Sequence, residues 1–268
     1  MGVSLFEYLG QQVLEQQAQE VQVFLLRTSL LDEFDPALCE AVLAPLYEEP
    51  QDWQKLLEII RQKNLYALPV GTDGQWLRYH HLFRDYLQDR YRRDLPQEII
   101  PTLQRLAQVR ERQGEWEAAY QLYKKMGDPN ALADMIERAG TTMYQNALLT
   151  LEAWLDDLPP SVVRQRPGLL SLRGAVEHMR GHASEAVTLL DAAISQLEVE
   201  ENVQALAVGR VRRGHAYSFL GSYERAIEDA SAAMKLTEDK DDLQGPYADA
   251  LRLRGLNRFY QGRSLEAA

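Results

Sequence analysis

Gly214-His215-Ala216-Tyr217-Ser218-Phe219-Leu220-Gly221-Ser222-Tyr223-Glu224-Arg225-Ala226 sets a small residue, a glycine seven positions on and an alanine twelve positions on. The same register recurs at Gly174, Gly181 and Ala186, at Gly255, Gly262 and Ala267, and at Ala107, Gly114 and Ala119. Ala193 and Ala233 extend two of these copies, each nineteen residues past its first small residue. The spacing has a direct physical meaning. A small residue in one helix lets the next helix pack close, the glycine ends the first helix in a left-handed turn, and the alanine sits where the second helix crosses the first. Trp116 and Tyr223, two residues past the glycine, are placed to cover the turn. The copies start 67, 40 and 41 residues apart; the long gap is about two repeats of about 34 residues, and Leu132 to Leu158 supplies a degenerate helix pair to fill it. Self-similarity at this period predicts a solenoid of helical hairpins of the tetratricopeptide (TPR) type over residues 92–268. The last copy stops at Ala268, inside its second helix, where a solenoid would expose an unpaired apolar seam. The expectation is therefore a chain that naturally continues.

Upstream of the repeats the pattern differs. Leu5, Phe6, Leu9, Val13 and Leu14 fall close to one helical face, and Val21–Leu26 continues in the same style. Asp35-Pro36 predicts an N-cap and first helical position for a second helix carrying Leu38, Val42 and Leu43. A third helix covers Trp53–Arg61. Leu65–Val70 and Gln75–Tyr79 flank Gly71-Thr72-Asp73-Gly74, a hairpin signal. Leu82, Phe83, Tyr86 and Leu87 then return to helical spacing. Three helices, a hairpin and a closing helix predict a small winged-helix domain with a β-hairpin wing over residues 1–91. The fold class expected for the whole is all-α.

The charge pattern limits what the first domain can do. Of the net −11, residues 1–91 carry 7 Lys/Arg against 14 Asp/Glu, and residues 92–268 carry 22 against 26. Nucleic-acid affinity comes largely from cations set against phosphates, so a winged helix with two acids per base is expected to make no direct nucleic-acid contact. Cys39 is the one cysteine, in an apolar stretch, which excludes an internal disulfide and points to a buried side chain. No apolar run approaches the ~18 residues that cross a bilayer, so no membrane contact is expected. The N-terminus is amphipathic and rich in Gln, unlike a signal peptide, and a cytoplasmic location is the expectation.

Several chemistries find no support. A phosphate-cradling Gly-rich loop ending in Gly-Lys-Ser/Thr, a Gly-x-Ser-x-Gly elbow and a His-Glu-x-x-His zinc motif are all missing from the sequence. His178 and His182 lie four apart, but Gly181 intervenes at the expected helix end and no third ligand is evident, so no metal site is expected. His215 has no evident partner. No enzyme, catalytic residue or cofactor of this chain's own is expected. His80 and His81, beside Arg78, sit where the hairpin hands over to a helix. One expectation places one ring partly buried and hydrogen-bonded, the other in solvent. The alternative is contact with an anion, since a helix start with a His and an Arg favours phosphate. A second candidate site is the groove of the solenoid, whose first helices carry Arg173, Glu177, Arg210, Arg213, Tyr217, Arg254, Arg258 and Tyr260. That face suits an extended peptide or small polar ligand, or is simply a solvated charged face.

Arg78-Tyr79-His80-His81-Leu82-Phe83, together with Phe24–Leu31 and Asn64-Leu65, resembles the region after the ATPase module in MalT-type regulators. These are large ATP-binding members of the LuxR transcription-factor group, in the STAND class of signalling ATPases. Glu115-Trp116-Glu117-Ala118-Ala119 and Leu151-Glu152-Ala153-Trp154-Leu155-Asp156-Asp157-Leu158-Pro159 resemble the start of their helical-repeat sensor. The resemblance implies an upstream nucleotide-binding domain holding ATP or ADP, over which the winged helix closes. It implies that His80 senses the phosphates, because Tyr79-His80-His81-Leu82 parallels the Met-His-Asp-Leu of related ATPases, with His81 departing from the Asp. It also implies that the repeats bind a small-molecule inducer or a protein partner, releasing the closed state towards oligomerisation and transcription activation through a DNA-binding domain. Two readings stand: a sensor segment of such a switch, and a TPR-like protein–protein interaction scaffold with no nucleotide coupling.

Overall fold

Short polar side chains write the helix starts. In the computed structural model, which describes residues 5–71 and 74–262 and side chains from residue 10 onward, Asp35 accepts the Leu38 N–H at 2.7 Å with Pro36 as the first helical residue. Asp52 accepts from Lys55 at 3.0 Å, Asp128 from Asn130 at 2.8 Å and Asn202 from Ala205 at 3.1 Å. Each cap satisfies an N–H that has no acceptor within its helix. The backbone divides into two units, Met1–Gly127 and Asp128–Ala268.

The first unit runs α1 (Leu5–Glu15), α2 (Gln19–Thr28), α3 (Pro36–Leu43), α4 (Trp53–Gln62), β1 (Ala67–Val70), β2 (Trp76–Tyr79), α5 (His81–Asp94), α6 (Pro96–Arg112) and α7 (Trp116–Met126). Four helices precede the hairpin rather than three. The first predicted helix breaks at residues 16–18, where the Gln17 amide donates back to the Val13 carbonyl and Gln22 donates to the Gln17 carbonyl. The face expected from Leu5, Phe6 and Leu9 lies outside the described side chains. β1 and β2 are antiparallel, Ala67 opposite Tyr79 and Val70 opposite Trp76; the Thr72-Asp73 tip lies outside the described residues. Phe34 adds a lone bridge to Leu77, with N–H···O bonds of 3.0 and 2.9 Å, which no sequence alternation announces.

The core of this unit gathers Phe24, Leu25, Leu31, Phe34, Leu43, Leu57, Ile60, Leu77, Leu87 and Tyr91, all essentially without solvent contact. Trp53, Leu56, Leu57 and Ile60 form the buried stripe of α4 at helical spacing. Cys39 is buried too, and burial pushes its thiol pKa far up. The expected boundary lies at 91/92, whereas α6 and α7 fall inside the first compact unit. Arg27 of α2 explains much of this. Its guanidinium meets Glu98 of α6 in a two-pronged pair, Nε to Oε2 at 2.8 Å and Nη2 to Oε1 at 2.7 Å. Tyr91 donates to the same carboxylate at 3.1 Å, and Tyr47 lies under the guanidinium at 4.3 Å.

The second unit is α8 (Pro129–Asn146), α9 (Leu148–Asp156), α10 (Pro160–Gln165), α11 (Pro167–Met179), α12 (Ala183–Val199), α13 (Val203–Phe219), α14 (Tyr223–Thr237) and α15 (Gln244–Tyr260). Successive pairs pack as helical hairpins, α11 on α12, α13 on α14, and α14 on α15. The repeat glycines behave as the spacing predicts. Gly114, Gly181, Gly221 and Gly262 have φ of +74°, +88°, +73° and +77°, and Ala119, Ala186 and Ala226 are fully buried at the crossings; Ala267 lies outside the described residues. At Gly174 a Cβ would come within 2.6 Å of Leu190 Cγ, so the close approach needs glycine. The fold class is therefore a winged-helix unit with a β-hairpin wing, followed by TPR-like helical hairpins. No helix among the described residues is long and apolar enough to cross a membrane.

Candidate functional site

At the start of α5, β2 delivers Arg78 and His80 while the helix begins at His81. His80 occupies the N-cap position with extended backbone, and its side chain makes no capping bond. Its N–H donates to the Tyr66 carbonyl at 2.7 Å. Tyr66 and Asn64 both have φ of +50°. For an aromatic residue such a backbone is strained by roughly 1–2 kcal/mol, and it brings the Tyr66 carbonyl to His80. The two imidazoles lie 4.4 Å apart between ring centres, tilted by 30°. Both residues are exposed, which corrects the expectation that one would be partly buried. Hydroxyl and aromatic contacts hold the neighbouring Tyr79 instead: its OH lies 2.7 Å from Thr28 Oγ1, and its ring packs on Phe34 and Phe83. Arg78 is not idle, since it pairs with Glu33, and Arg84 pairs with Asp32 at 2.7 Å. The exposed His80 and His81 thus stand at the positive end of a 14-residue helix.

In the second unit the predicted groove residues divide. Arg213 grips Asp229 with Nε at 2.8 Å and Nη2 at 2.6 Å, and reaches Asp191 at 2.6 Å. Arg210 meets Glu198 at 2.6 Å and the edge of Asp229 at 3.4 Å. Asp229 is buried, so these arginines join helices rather than face an open groove. The two carboxylates beside Arg213 push its pKa well above the usual guanidinium range. Tyr217 lies under the guanidinium groups of Arg213 and Arg225 at 5.8 and 5.5 Å. Arg173 pairs with Asp156, and Glu177 Oε2 lies 2.8 Å from His182 Nδ1. Arg254 and Arg258 lie partly buried on α15, and the Tyr260 ring lies 5.6 Å from that of Tyr223, tilted by 38°.

The histidines pair differently from their spacing. His178 faces His215 at 6.4 Å and Phe219 at 5.9 Å, and burial lowers the pKa of both rings. His182 turns away to Glu177, and Glu185 joins them, each offering a ligand atom within 4.8 Å of the others. Of these contacts, the Glu177–His182 pair is within hydrogen-bonding distance.

A residue that spacing did not single out has a different environment. Arg212 lies next to Arg213 but about 100° around the helix. It donates to the Ser171 hydroxyl at 2.8 Å and lies over the Tyr144 ring at 5.8 Å, and meets no carboxylate among the described residues. A cleft of about 230 Å³ opens beside it, bounded by the first helices α8, α11 and α13. The run Arg210-Val211-Arg212-Arg213 was the available signal; sequence alone does not say which of its cations lacks an acid.

Comparison with known proteins bears on both units. Residues 10–99 match the family model of the MalT winged helix domain. The HTH-type transcriptional regulator MalT of Klebsiella pneumoniae is 29% identical over 197 residues, 73% of this chain and 21% of that protein. MalT of Vibrio cholerae is 24% identical over 234 residues, 86% of this chain and 25% of that protein. These stretches are far longer than the winged helix, so the resemblance to MalT-type regulators continues into the helical repeats. The chain spans about a fifth to a quarter of the length of these relatives. The crystal structure of a signal transduction ATPase with numerous domains and a tetratricopeptide repeat sensor, from Pyrococcus horikoshii, superposes with a TM-score of 0.47 at 12% identity, covering 100% of this chain and 51% of that one.

Proposed function

We propose that this MalT-like chain is the regulatory and sensor segment of a signal-responsive STAND-class ATPase that controls transcription in the cytoplasm. In this reading the winged helix couples to a nucleotide-binding domain, the repeats receive an inducer or partner, and the segment has no catalytic centre of its own. The observation that carries the coupling is the match of residues 10–99 to the MalT winged helix domain, with exposed His80 at the start of α5. An imidazole there, beside the positive end of a helix, suits the phosphates of a nucleotide held by another domain. Arg78 contributes less than its position suggests, because Glu33 already takes its charge.

The test is made in a longer regulator that contains this segment and its nucleotide-binding domain. His80→Ala is expected to release ADP faster and to raise activity without inducer. ADP retention equal to wild type overturns the sensing role. A single tight protein partner on the repeats, with no nucleotide effect at all, favours the scaffold reading instead.

A further inference from the structure

Arginines in the second unit are matched to acids with some regularity. Arg166 meets Asp134, Arg180 meets Glu152, Arg252 meets Asp249, and Arg173, Arg210 and Arg213 have the partners given above. Arg212 is partly buried like Arg210 and Arg213, yet its one hydrogen bond among the described residues goes to a neutral hydroxyl. A guanidinium has five N–H donors, and a partly buried cation without a carboxylate leaves most of them for water or for an anion that supplies the charge. Burial pushes its pKa down to about 10, which still leaves it protonated at neutral pH.

The surroundings are those of a small polar site. Arg212 and Ser171 lie in the wall of the cleft, with Thr141 and Gln204 at its exposed rim and Val208 as an apolar flank. Ser171 is buried and accepts from Arg212, so its own hydroxyl proton is left to point to a ligand oxygen. Glu137 lines the cleft from α8 and shares the Arg166 guanidinium, at 3.4 Å, with Asp134, and its carboxylate can accept a hydroxyl. The volume of about 230 Å³ falls below the roughly 300–1,000 Å³ of drug-sized sites, which suits a compact ligand.

We propose that the cleft between α8, α11 and α13 binds a small hydroxylated oxyanion, a carboxylate or phosphate monoester, whose charge is held by Arg212 and Ser171 and whose hydroxyl is read by Glu137. The guanidinium fork matches such groups in geometry and charge. The assignment rests on the reading of the repeats as the signal-receiving part and names the chemistry of the signal.

The whole chain is titrated with inorganic phosphate, glucose 6-phosphate, citrate and neutral glucose at fixed ionic strength, followed by thermal melting and calorimetry. At least one of the anions is expected to bind saturably and to raise Tm by about 5–10 °C at a hundredfold excess over its Kd, whereas glucose does not. Arg212→Gln is expected to weaken binding at least tenfold. Val208→Phe, which narrows the cleft and leaves Arg212 in place, is expected to do the same, and it guards against a folding defect in the first variant. Absence of anion-specific binding in the wild type overturns the proposal, as does binding that both variants leave intact. A neutral ligand that binds the repeats and ignores Arg212→Gln also overturns it, while leaving the sensor reading standing. That reading fails separately, on ADP retention in the His80→Ala regulator.

Discussion

Arg212 and Arg213 are neighbours in sequence with opposite surroundings, and the difference is made by partners 16 to 41 residues away. That is why the sequence showed a cluster of cations on α13 without showing which of them is tied down. The groove residues Arg210 and Arg213 were legible as charged and as facing one side of the helix, but their acid, Asp229, lies on α14 and is buried. Removing that acid leaves Arg213 and Arg210 only their exposed partners, Asp191 and Glu198, in place of the buried carboxylate they share. Asp229→Ala is expected to lower the unfolding free energy by roughly 3 kcal/mol, as measured by urea denaturation. An unchanged midpoint would show the pair to be solvated and of little consequence. His80 shows the complementary limit: its place at the helix start was readable from the hairpin–helix handover, but the strained Tyr66 that holds its backbone was not. No propensity puts an aromatic residue at positive φ.

At the level of elements, the repeat was the most legible feature because it rests on backbone geometry rather than on side-chain partners. Each glycine seven residues after a small residue adopts the left-handed turn that its spacing demands. The break between α1 and α2 was invisible for the opposite reason: glutamines that favour helix end it here by bonding to nearby carbonyls. Two helical glycines separate packing from propensity. Gly174→Ala adds a methyl within 2.6 Å of buried Leu190; the overpacking cost of about 1–3 kcal/mol exceeds the gain in helix propensity of about 1 kcal/mol. Gly209, midway along α13, meets nothing nearer its Cβ position than Ile194 Cγ1 at 3.4 Å, and Gly209→Ala is expected to stabilise by about 0.5 kcal/mol or somewhat more. Equilibrium denaturation should therefore move in opposite directions for the two variants. A gain at both positions would mean that the close helix approach at Gly174 is easily relaxed.

For the chain as a whole, the division of labour follows from where α6 belongs. Its sequence is repeat-like, but Glu98 completes the Arg27 pair and Arg105 donates to the Val42 carbonyl at 2.6 Å. A chain ended at residue 91 is expected to lose cooperative melting, whereas one ended at Gly127 should keep it. A sharp, wild-type-like transition for residues 1–91 would show that the winged helix does not need the helical pair that follows it. Residues 1–91 carry 7 Lys/Arg against 14 Asp/Glu, and the nucleotide-facing role proposed for them asks only for a small patch at one helix start. Cys39 adds something practical. It is the lone cysteine of the chain and fully enclosed, with its thiol held protonated by burial. A thiol reagent can therefore reach it only during transient openings of the first unit. Its labelling rate is an internal clock for those openings, and it needs no engineered probe to report how often the winged helix lets solvent in.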